Sequence, residues 1–395
     1  MSARSAAGTT AGWAGLDKLG LLLSVLAAAG LSLPFVAFRA NRIVLGEGQG
    51  LFAALPVWMA VLLLVSLALA LGSALLRGPA LWRVATSLAA AVVLIVALGA
   101  AATNLTPEGD TVARVSPGGG FWLLLLAVAL LAADGLARLR PKPLLRLALL
   151  VLVGGALAAI LASGTLNAVS VLREYANRAD AFWAEGRTHL ILALGSLAAA
   201  TLVGVPLGII CQRTPALRAP VLNLLNAIQT IPSIALFGLL IAPLGWVALN
   251  VPGAAALGVS GIGTAPALLA LFGYALLPVV ANTVVGIDGV APAANDAARG
   301  MGMTDGQRLR SVQLPLAFPV ILTGIRIVLV QNIGLATIAA LIGGGGFGVF
   351  VFQGVGQTAM DLVLLGAVPT IVLAFAAAII LDAAVELVTP RGAAR

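Results

Sequence analysis

One cysteine, one histidine and two tyrosines occur in 395 residues, and only 9% of the chain is charged. The lone Cys211 excludes an internal disulfide and says nothing about compartment. No Cys/His metal cluster, nucleophile constellation or Walker-type phosphate loop occurs along the chain. The expectation is a protein with no catalytic residue, no cofactor and no metal of its own, so any uphill work must be driven from outside it. The scarcity of charge also excludes an ordinary soluble globular protein, in which about a quarter of residues are charged.

What fills the chain is apolar: 61% hydrophobic residues and a mean hydropathy of +1.12. Runs of roughly 20 apolar residues, the length that crosses a bilayer core as helix, fall near 18–38, 52–76, 84–103, 120–138, 145–163, 189–211, 219–242, 262–285, 317–342 and 362–388. The runs are continuous and rich in Leu and Ala, without the period-two alternation of barrel strands. They predict an all-α polytopic membrane protein of about ten transmembrane helices.

With the N-terminus inside, fifteen of the 22 cationic residues fall in inside segments, among them Arg4, Lys18, Arg213, Arg218, Arg299, Arg308, Arg391 and Arg395. Six fall outside: Arg39, Arg42, Arg114, Arg173, Arg178 and Arg187. The positive-inside rule then puts both termini in the cytoplasm. The net charge of +8 is mostly this bias and does not indicate a nucleic-acid partner. Trp122, Trp183 and Trp246 near outer ends, and Trp13 and Trp82 near inner ones, agree with an interfacial belt, while Trp58 sits deeper.

Residues 1–17 are small and polar and lack the cleavage pattern of a secretory signal. Five bland spans follow to about Ser163, with Asp134, close to a cytoplasmic end, the one acidic residue within them; they read as a lipid-facing scaffold. Between 164 and 187, Leu172, Tyr175, Ala176, Ala179, Phe182 and Trp183 recur at helical spacing among charges, predicting an amphipathic helix on the outer interface. It is either a plain connector or a contact for an outside partner. His189, at the start of the next span, reads as an interfacial residue.

The second half differs in kind, since its spans carry Asn226, Gln229, Pro232, Ser233, Tyr274, Pro278, Asn282 and Asn332. Prolines free backbone groups that neighbours must satisfy, and amides in hydrocarbon need partners or water. These residues form a polar seam, either interhelical glue or a translocation pathway. Arg326 lies about 16 Å into its span; it snorkels, pairs with Asp382 on the last span, or faces the pathway, with pairing ranked first. Gly343–Gly348 satisfies G-x-G-x-x-G literally, but the dinucleotide motif needs a strand before it in a soluble domain, and that reading is rejected. A re-entrant or gating turn and a plain loop remain.

Between two of these spans lies a polar stretch, Asn295–Pro315. Asp296–Gly302 is compatible with helix up to two glycines, and Gln307–Leu314 forms a second turn or two before Pro315, so the stretch predicts a helix, a break and a helix. Ala297, Ala298, Met301, Met303 and Leu309 keep part of it apolar, which a solvated loop would not need.

Its spacing carries a resemblance. Asp296-Ala297-Ala298, three residues, Gly302, nine residues and Val312-Gln313-Leu314-Pro315 closely resembles the EAA loop of binding-protein-dependent ABC transporter permeases: E-A-A, three residues, Gly, nine residues, I-x-L-P. Asp stands for Glu and Val for Ile. Gln229–Ser233, Tyr274–Pro278 with Asn282-Thr283, Ala297–Met303, Leu314–Ile327 and the glycine turn are similar to the glycine betaine, carnitine and choline branch of that family.

The resemblance covers about 187–388 and implies a five-helix core of the type I ABC importer permease. By that likeness, 1–163 is a five-span membrane extension, 164–187 the outer linker, 188–388 the permease core with its coupling loop at 288–316, and 389–395 a cytoplasmic tail. The resemblance implies that Asp296, Ala297, Ala298, Arg299, Gly302, Arg308, Leu314 and Pro315 couple to a separate ATP-binding subunit, the partner that binds the ATP. A periplasmic or lipid-anchored substrate-binding protein would deliver a small quaternary ammonium solute. A second permease subunit, identical or related, would complete the pore. The pathway would use Asn226, Gln229, Pro232, Ser233, Tyr274, Asn282, Arg326 and Asn332. Implied location is the bacterial inner membrane. The alternative is an ion-coupled secondary transporter, which the near absence of midplane ionisable residues disfavours.

Overall fold

The computed structural model describes residues 17–41, 44–107, 109–110 and 112–389. Arg4, Trp13, Arg42, Arg391 and Arg395, used in the orientation and belt assignments, lie outside the described residues. The chain divides into two compact units, one of 1–142 with 151–173, the other of 143–150 with 174–395.

The first unit opens with α1 (Lys18–Ser32), which Asp17 caps by accepting the Leu19 N–H at 3.0 Å. Strand β1 (Val36–Arg39) and strand β2 (Glu47–Gln49) follow, then the single turn α2 (Leu51–Ala54). Long helices α3 (Val57–Leu75) and α4 (Ala80–Leu105) each start behind a proline, Pro56 and Pro79. Strand β3 (Arg114–Pro117) and α5 (Gly119–Leu139) come next, then α6 (Pro143–Ala162), whose first eight residues belong to the other unit.

Leu23, Leu63, Leu67, Leu94, Leu124 and Leu131, interleaved with Ala27, Ala60, Ala70, Ala90, Ala97 and Ala127, form the core. In lipid there is no hydrophobic force between helices, so close packing through small residues must hold them. The alanine rows supply it. The strands form a three-stranded antiparallel sheet in the order β2-β1-β3, with Val36 opposite both Gln49 and Pro117. This sheet was not expected from the sequence. It also shortens the first expected span: Pro34 ends the helical stretch, and the last residues of the 18–38 run pair as strand. At 15 residues, α1 is about 22 Å long. Trp58 is the second residue of α3, near a helix end and not deep in a span.

The division between the units falls within α7 (Ser170–Asn177). The second unit continues with α8 (Ala179–Arg213), α9 (Pro215–Thr230), α10 (Ser233–Leu239), α11 (Ile241–Asn250) and α12 (Thr264–Asp288). Then come α13 (Pro292–Gly300), α14 (Asp305–Arg308), a π turn at Leu309–Gln313, α15 (Leu314–Leu335), a 3₁₀ turn at Ile338–Ile342, α16 (Gly348–Gly356) and α17 (Met360–Val388). Ala200, Ala275, Val279 and Val328 join α8, α12 and α15, and Ile287, Val290, Ala317 and Ile321 close the end from which the α13 segment emerges.

Among the described residues nine helical stretches are long and apolar enough to span a membrane, and five of them are in this unit: Ala179–Arg213, Ser233–Asn250, Thr264–Asp288, Asp305–Leu335 and Met360–Val388. Two expected boundaries shift. The stretch 179–187, expected as part of a surface helix, is continuous with α8. The 219–242 run is broken at Ile231-Pro232, because a residue before proline is driven out of the helical region; Ile231 is extended, with φ −67° and ψ 127°.

Candidate functional site

The stretch at 288–316 is a helix, a break and a helix. Pro292 sits in the first turn of α13, where its missing N–H costs nothing. The helix stops at Gly302, whose φ of +77° is a left-handed value that a side chain disfavours. The Met303 N–H reaches back to the Ala298 carbonyl at 3.1 Å and the Gly302 N–H to Arg299 at 2.9 Å, the paired closing bonds of a Schellman motif. Thr304 restarts the helix with a capping box: its hydroxyl accepts the Gln307 N–H at 3.3 Å, and Gln307 Oε1 accepts the Thr304 N–H at 2.9 Å.

Pro315 does not end the second piece. It has no N–H for the Ser311 carbonyl and its ring would crowd that group, so the backbone widens first into the π turn. There the Leu314 N–H bonds to the Leu309 carbonyl, and the helix runs on as α15.

The eight expected coupling residues divide by exposure. Asp296, Ala297, Arg299, Gly302 and Pro315 are exposed, as is Met301 at 70%. Ala298 is buried and Leu314 packs beside Ile287 and Val290. Arg308 turns inward, pairing with Asp305 at 2.8 Å. Gln313 Nε2 donates to Asn295 Oδ1 at 2.9 Å, tying α13 to the π turn. The outward face of α13 is thus a small, mixed surface of one carboxylate, one guanidinium, alanine and methionine.

The expected pathway residues fall into separate hydrogen-bonded sets. Pro278 inside α12 cannot donate to the Tyr274 carbonyl four residues earlier. Gln229 Nε2 on α9 donates to that carbonyl instead, at 2.7 Å. In return the buried Tyr274 hydroxyl donates to the Ile231 carbonyl at the α9–α10 break. One proline and one helix break are therefore satisfied by each other's neighbours. Pro232 caps α10 from the N-terminal side, Ser233 follows half-buried, and Asn226, one turn back from the break, is exposed.

Asn282 donates to the Pro278 carbonyl at 2.8 Å and packs against Gly324 of α15. Asn332 is fully buried and donates to Ser196 Oγ on α8 at 2.8 Å. Arg326 pairs with Asp382, the partner ranked first from the sequence. Asp382 also accepts Arg146 Nη1 at 2.5 Å, and Arg146 reaches Glu386 through its second nitrogen. A groove of about 630 Å³ opens beside this cluster, walled by Ile327, Val330 and Phe375.

Sequence reading missed several groups whose partners lie far away in the chain. Asp288 accepts Arg218 at 2.8 Å and Gln212 at 3.2 Å, and Arg213 donates to the Asp305 carbonyl at 3.1 Å. The glycine turn is a tightly packed corner. Gly343, Gly345 and Gly346 have φ of 76°, 76° and 87°, and the Gly346 N–H donates to Glu185 Oε2 on α8 at 2.6 Å. His189 faces the protein interior: it is fully buried, its ring tilted on Phe347 of that turn with centroids 5.2 Å apart.

Comparison with known proteins bears on both halves. The family described as "ABC transporter permease YehY, N-terminal domain" matches residues 17–172, and "Binding-protein-dependent transport system inner membrane component" matches 204–392. The osmoprotectant import permease protein OsmW of Salmonella typhimurium is 41% identical over 52% of this chain and 90% of its own length. The choline transport system permease protein OpuBB of Bacillus subtilis is 36% identical over 52% of this chain and 88% of its own. A structure of the MetNI methionine ABC transporter, inward-facing, aligns with 53% of this chain and 97% of its own at 21% identity, with a TM-score of 0.46. The chain belongs to the binding-protein-dependent ABC transporter permeases, in the branch of the osmoprotectant, choline and carnitine permeases, and is a membrane-embedded transport subunit.

Proposed function

We propose that this chain is the pore subunit of a bacterial inner-membrane importer for a small quaternary ammonium osmoprotectant of the glycine betaine or choline class. A separate ATP-binding subunit binds and hydrolyses the ATP, a periplasmic or lipid-anchored binding protein delivers the solute, and a second permease subunit completes the pore. Both termini are cytoplasmic. Residues 179–388, from the start of α8, are the transport core, 164–178 the linker, and 1–163 a membrane extension.

The observation that carries this reading is the α13 segment. It is a short helix stopped by Gly302 at φ +77°, with Asp296, Ala297, Arg299 and Met301 turned outward and Ala298 anchoring it inward. A helix of this kind fits a groove on a partner, and at the ends of α12 and α15 it moves with both spans. Gly302 supplies the stop, Leu314 the anchor, Pro315 the helix entry, and Arg308 with Asp305 the shape of the second turn. For the cargo, Asn226 and Ser233 offer weak polar contacts at the α9–α10 break, which Pro232 shapes. Gln229, Tyr274, Asn282, Asn332 and Arg326 hold the surrounding helices in register. Weak contacts suit a path that the solute must leave as readily as it enters; selectivity for a quaternary ammonium resides in an aromatic cage elsewhere.

The test is uptake of labelled glycine betaine and choline into proteoliposomes holding this chain, its ATP-binding subunit and its binding protein. ATP-dependent uptake is expected. Uptake by this chain alone, driven by an ion gradient, would overturn the reading in favour of a secondary transporter. In the same vesicles Gly302→Glu is expected to leave the complex assembled and abolish the coupling of hydrolysis to uptake; unchanged uptake would count against the coupling role.

A further inference from the structure

Three side chains at the α8–α9 corner reach both ends of the coupling segment. Gln212 and Arg213 are the last two residues of α8 and Arg218 lies in the first turns of α9. Asp288, the last residue of α12, takes Arg218 Nη1 on Oδ2 at 2.8 Å and Gln212 Nε2 on Oδ1 at 3.2 Å. One carboxylate thus grips both flanks of the corner. Arg213 Nη2 holds the carbonyl of Asp305, the first residue of α14, at 3.1 Å. The α13 helix lies in the chain between these two attachment points.

Local helix electrostatics does not account for the pair. A carboxylate at the C-terminus of α12 and a guanidinium near the N-terminus of α9 each oppose the dipole of their own helix. Each is favoured only by the other helix. The side chains of Arg218 and Asp288 are also 43% and 39% exposed, a setting in which an ion pair adds little to stability. A contact that is costly locally and stabilises little globally is placed for what it connects.

What it connects is α9. This helix has 16 residues, about 24 Å, and among them only Leu225 is buried. Leu225 with the half-buried Val221, Leu222 and Ile228 seats it on Leu207 and Cys211 of α8 and on Leu276 and Val280 of α12, while its other face is exposed. Its far end is the Ile231-Pro232 break, held by Gln229 on the Tyr274 carbonyl and by the Tyr274 hydroxyl on Ile231.

We propose that Asp288 is a positioning residue that clamps the α8–α9 corner to the coupling segment, making α9 the strut that carries movement of that segment to the broken-helix joint at Ile231-Pro232. This rests on the importer reading and adds the route by which the motor's stroke reaches the pathway.

The test uses the full complex in proteoliposomes, with ATP hydrolysis and solute uptake measured on the same preparation. Asp288→Ala and Arg218→Asp are each expected to keep assembly and hydrolysis while solute moved per ATP falls by roughly tenfold, within the range of ordinary coupling energies. Gln212→Leu, which leaves the ion pair, is expected to fall less. The charge swap, Asp288→Arg with Arg218→Asp, is expected to recover most of the loss. Uptake per ATP unchanged in the single variants, or no recovery in the swap, overturns the clamp. Hydrolysis and uptake falling together with complex yield would assign the pair to assembly and overturn it too. Absence of ATP-driven uptake in the unaltered complex would instead overturn the importer reading, so the two failures are distinguishable.

Discussion

The first unit and the second use ion pairs in opposite ways. In the first, Arg83 is 1% exposed and every arm is occupied: Asp134 at 2.8 Å, Asp17 at 3.0 Å, and the Gly78 and Ala74 carbonyls at 3.3 and 3.2 Å. Arg138 closes the set from α5, reaching the same two carboxylates. Helices α1, α4 and α5 and the α3–α4 corner are locked at one point. In the second unit the pairs between α15, α17 and the start of α6 are half-exposed and shared, with Asp382 divided between Arg326 and Arg146. The buried lock suits a part that holds its shape; the shared pairs can exchange partners and suit a part that moves.

The largest effect is expected from breaking the lock. Arg83→Leu leaves Asp17 and Asp134, 12% and 14% exposed, with only Arg138 to face them. Removing one partner of a buried pair strands the other charge and costs about 3 kcal/mol. Thermal unfolding in detergent should show the first unit melting well before the wild type. A loss no larger than that of a surface arginine would remove the distinction between the two units.

The next effect tests whether the joint in the second unit is satisfied as tightly as the lock. Gln229→Leu strands the Tyr274 carbonyl that Pro278 cannot serve, at a cost of about 1–3 kcal/mol. Pro278→Ala restores an N–H four residues on from Tyr274, so the double variant should be more stable than the two single losses predict. Strict additivity in thermal unfolding would show that the Gln229 bond is not the replacement for the proline's missing donor.

How much of this was legible beforehand follows from the range of each interaction. The helix–break–helix at Asn295–Pro315 was readable because Gly302, Thr304 and Gln307 act on their own backbone within a few residues. The Arg326–Asp382 pair was readable because so few charges lie within the spans that the candidates could be enumerated. The Arg83 lock was not, since its partners lie 51 and 66 positions away and periodicity carries no signal over that distance. The sheet was missed for a related reason: β1 is four residues at the end of an apolar run, and its pairing with Arg114–Pro117 is a tertiary event. The break at Ile231-Pro232 was visible as a proline, but its satisfaction by Tyr274 depends on how α9 lies against α12.

A smaller effect separates shared from locked pairs directly. Arg326 and Asp382 are 34% and 43% exposed, and Arg146 remains to hold Asp382 when Arg326 is removed. A double-mutant cycle of Arg326→Ala and Asp382→Ala should give a coupling below about 1 kcal/mol, rising when Arg146→Ala is already present. A coupling of zero in both backgrounds would discard the pair.

The smallest effect is in pH and belongs to the lock. Burial alone would raise the Asp17 carboxyl, but the Arg83 bond, the Leu19 N–H and the charges of Arg138 and Arg83 outweigh it and hold the group below its ordinary 3.8. A carboxyl depressed in the folded state contributes stability that is complete above its unfolded value and lost as pH falls through the folded one. Asp17 should therefore leave the first unit unaffected from neutral pH down to about pH 4 and weaken it only below. Asp17→Asn keeps an oxygen to cap α1 but removes the titrating group, so its unfolding temperature should lose this acid-limb dependence while lying below that of the wild type at pH 7. An acid limb of unchanged steepness in Asp17→Asn would assign it to other carboxylates and leave the lock to Asp134 alone.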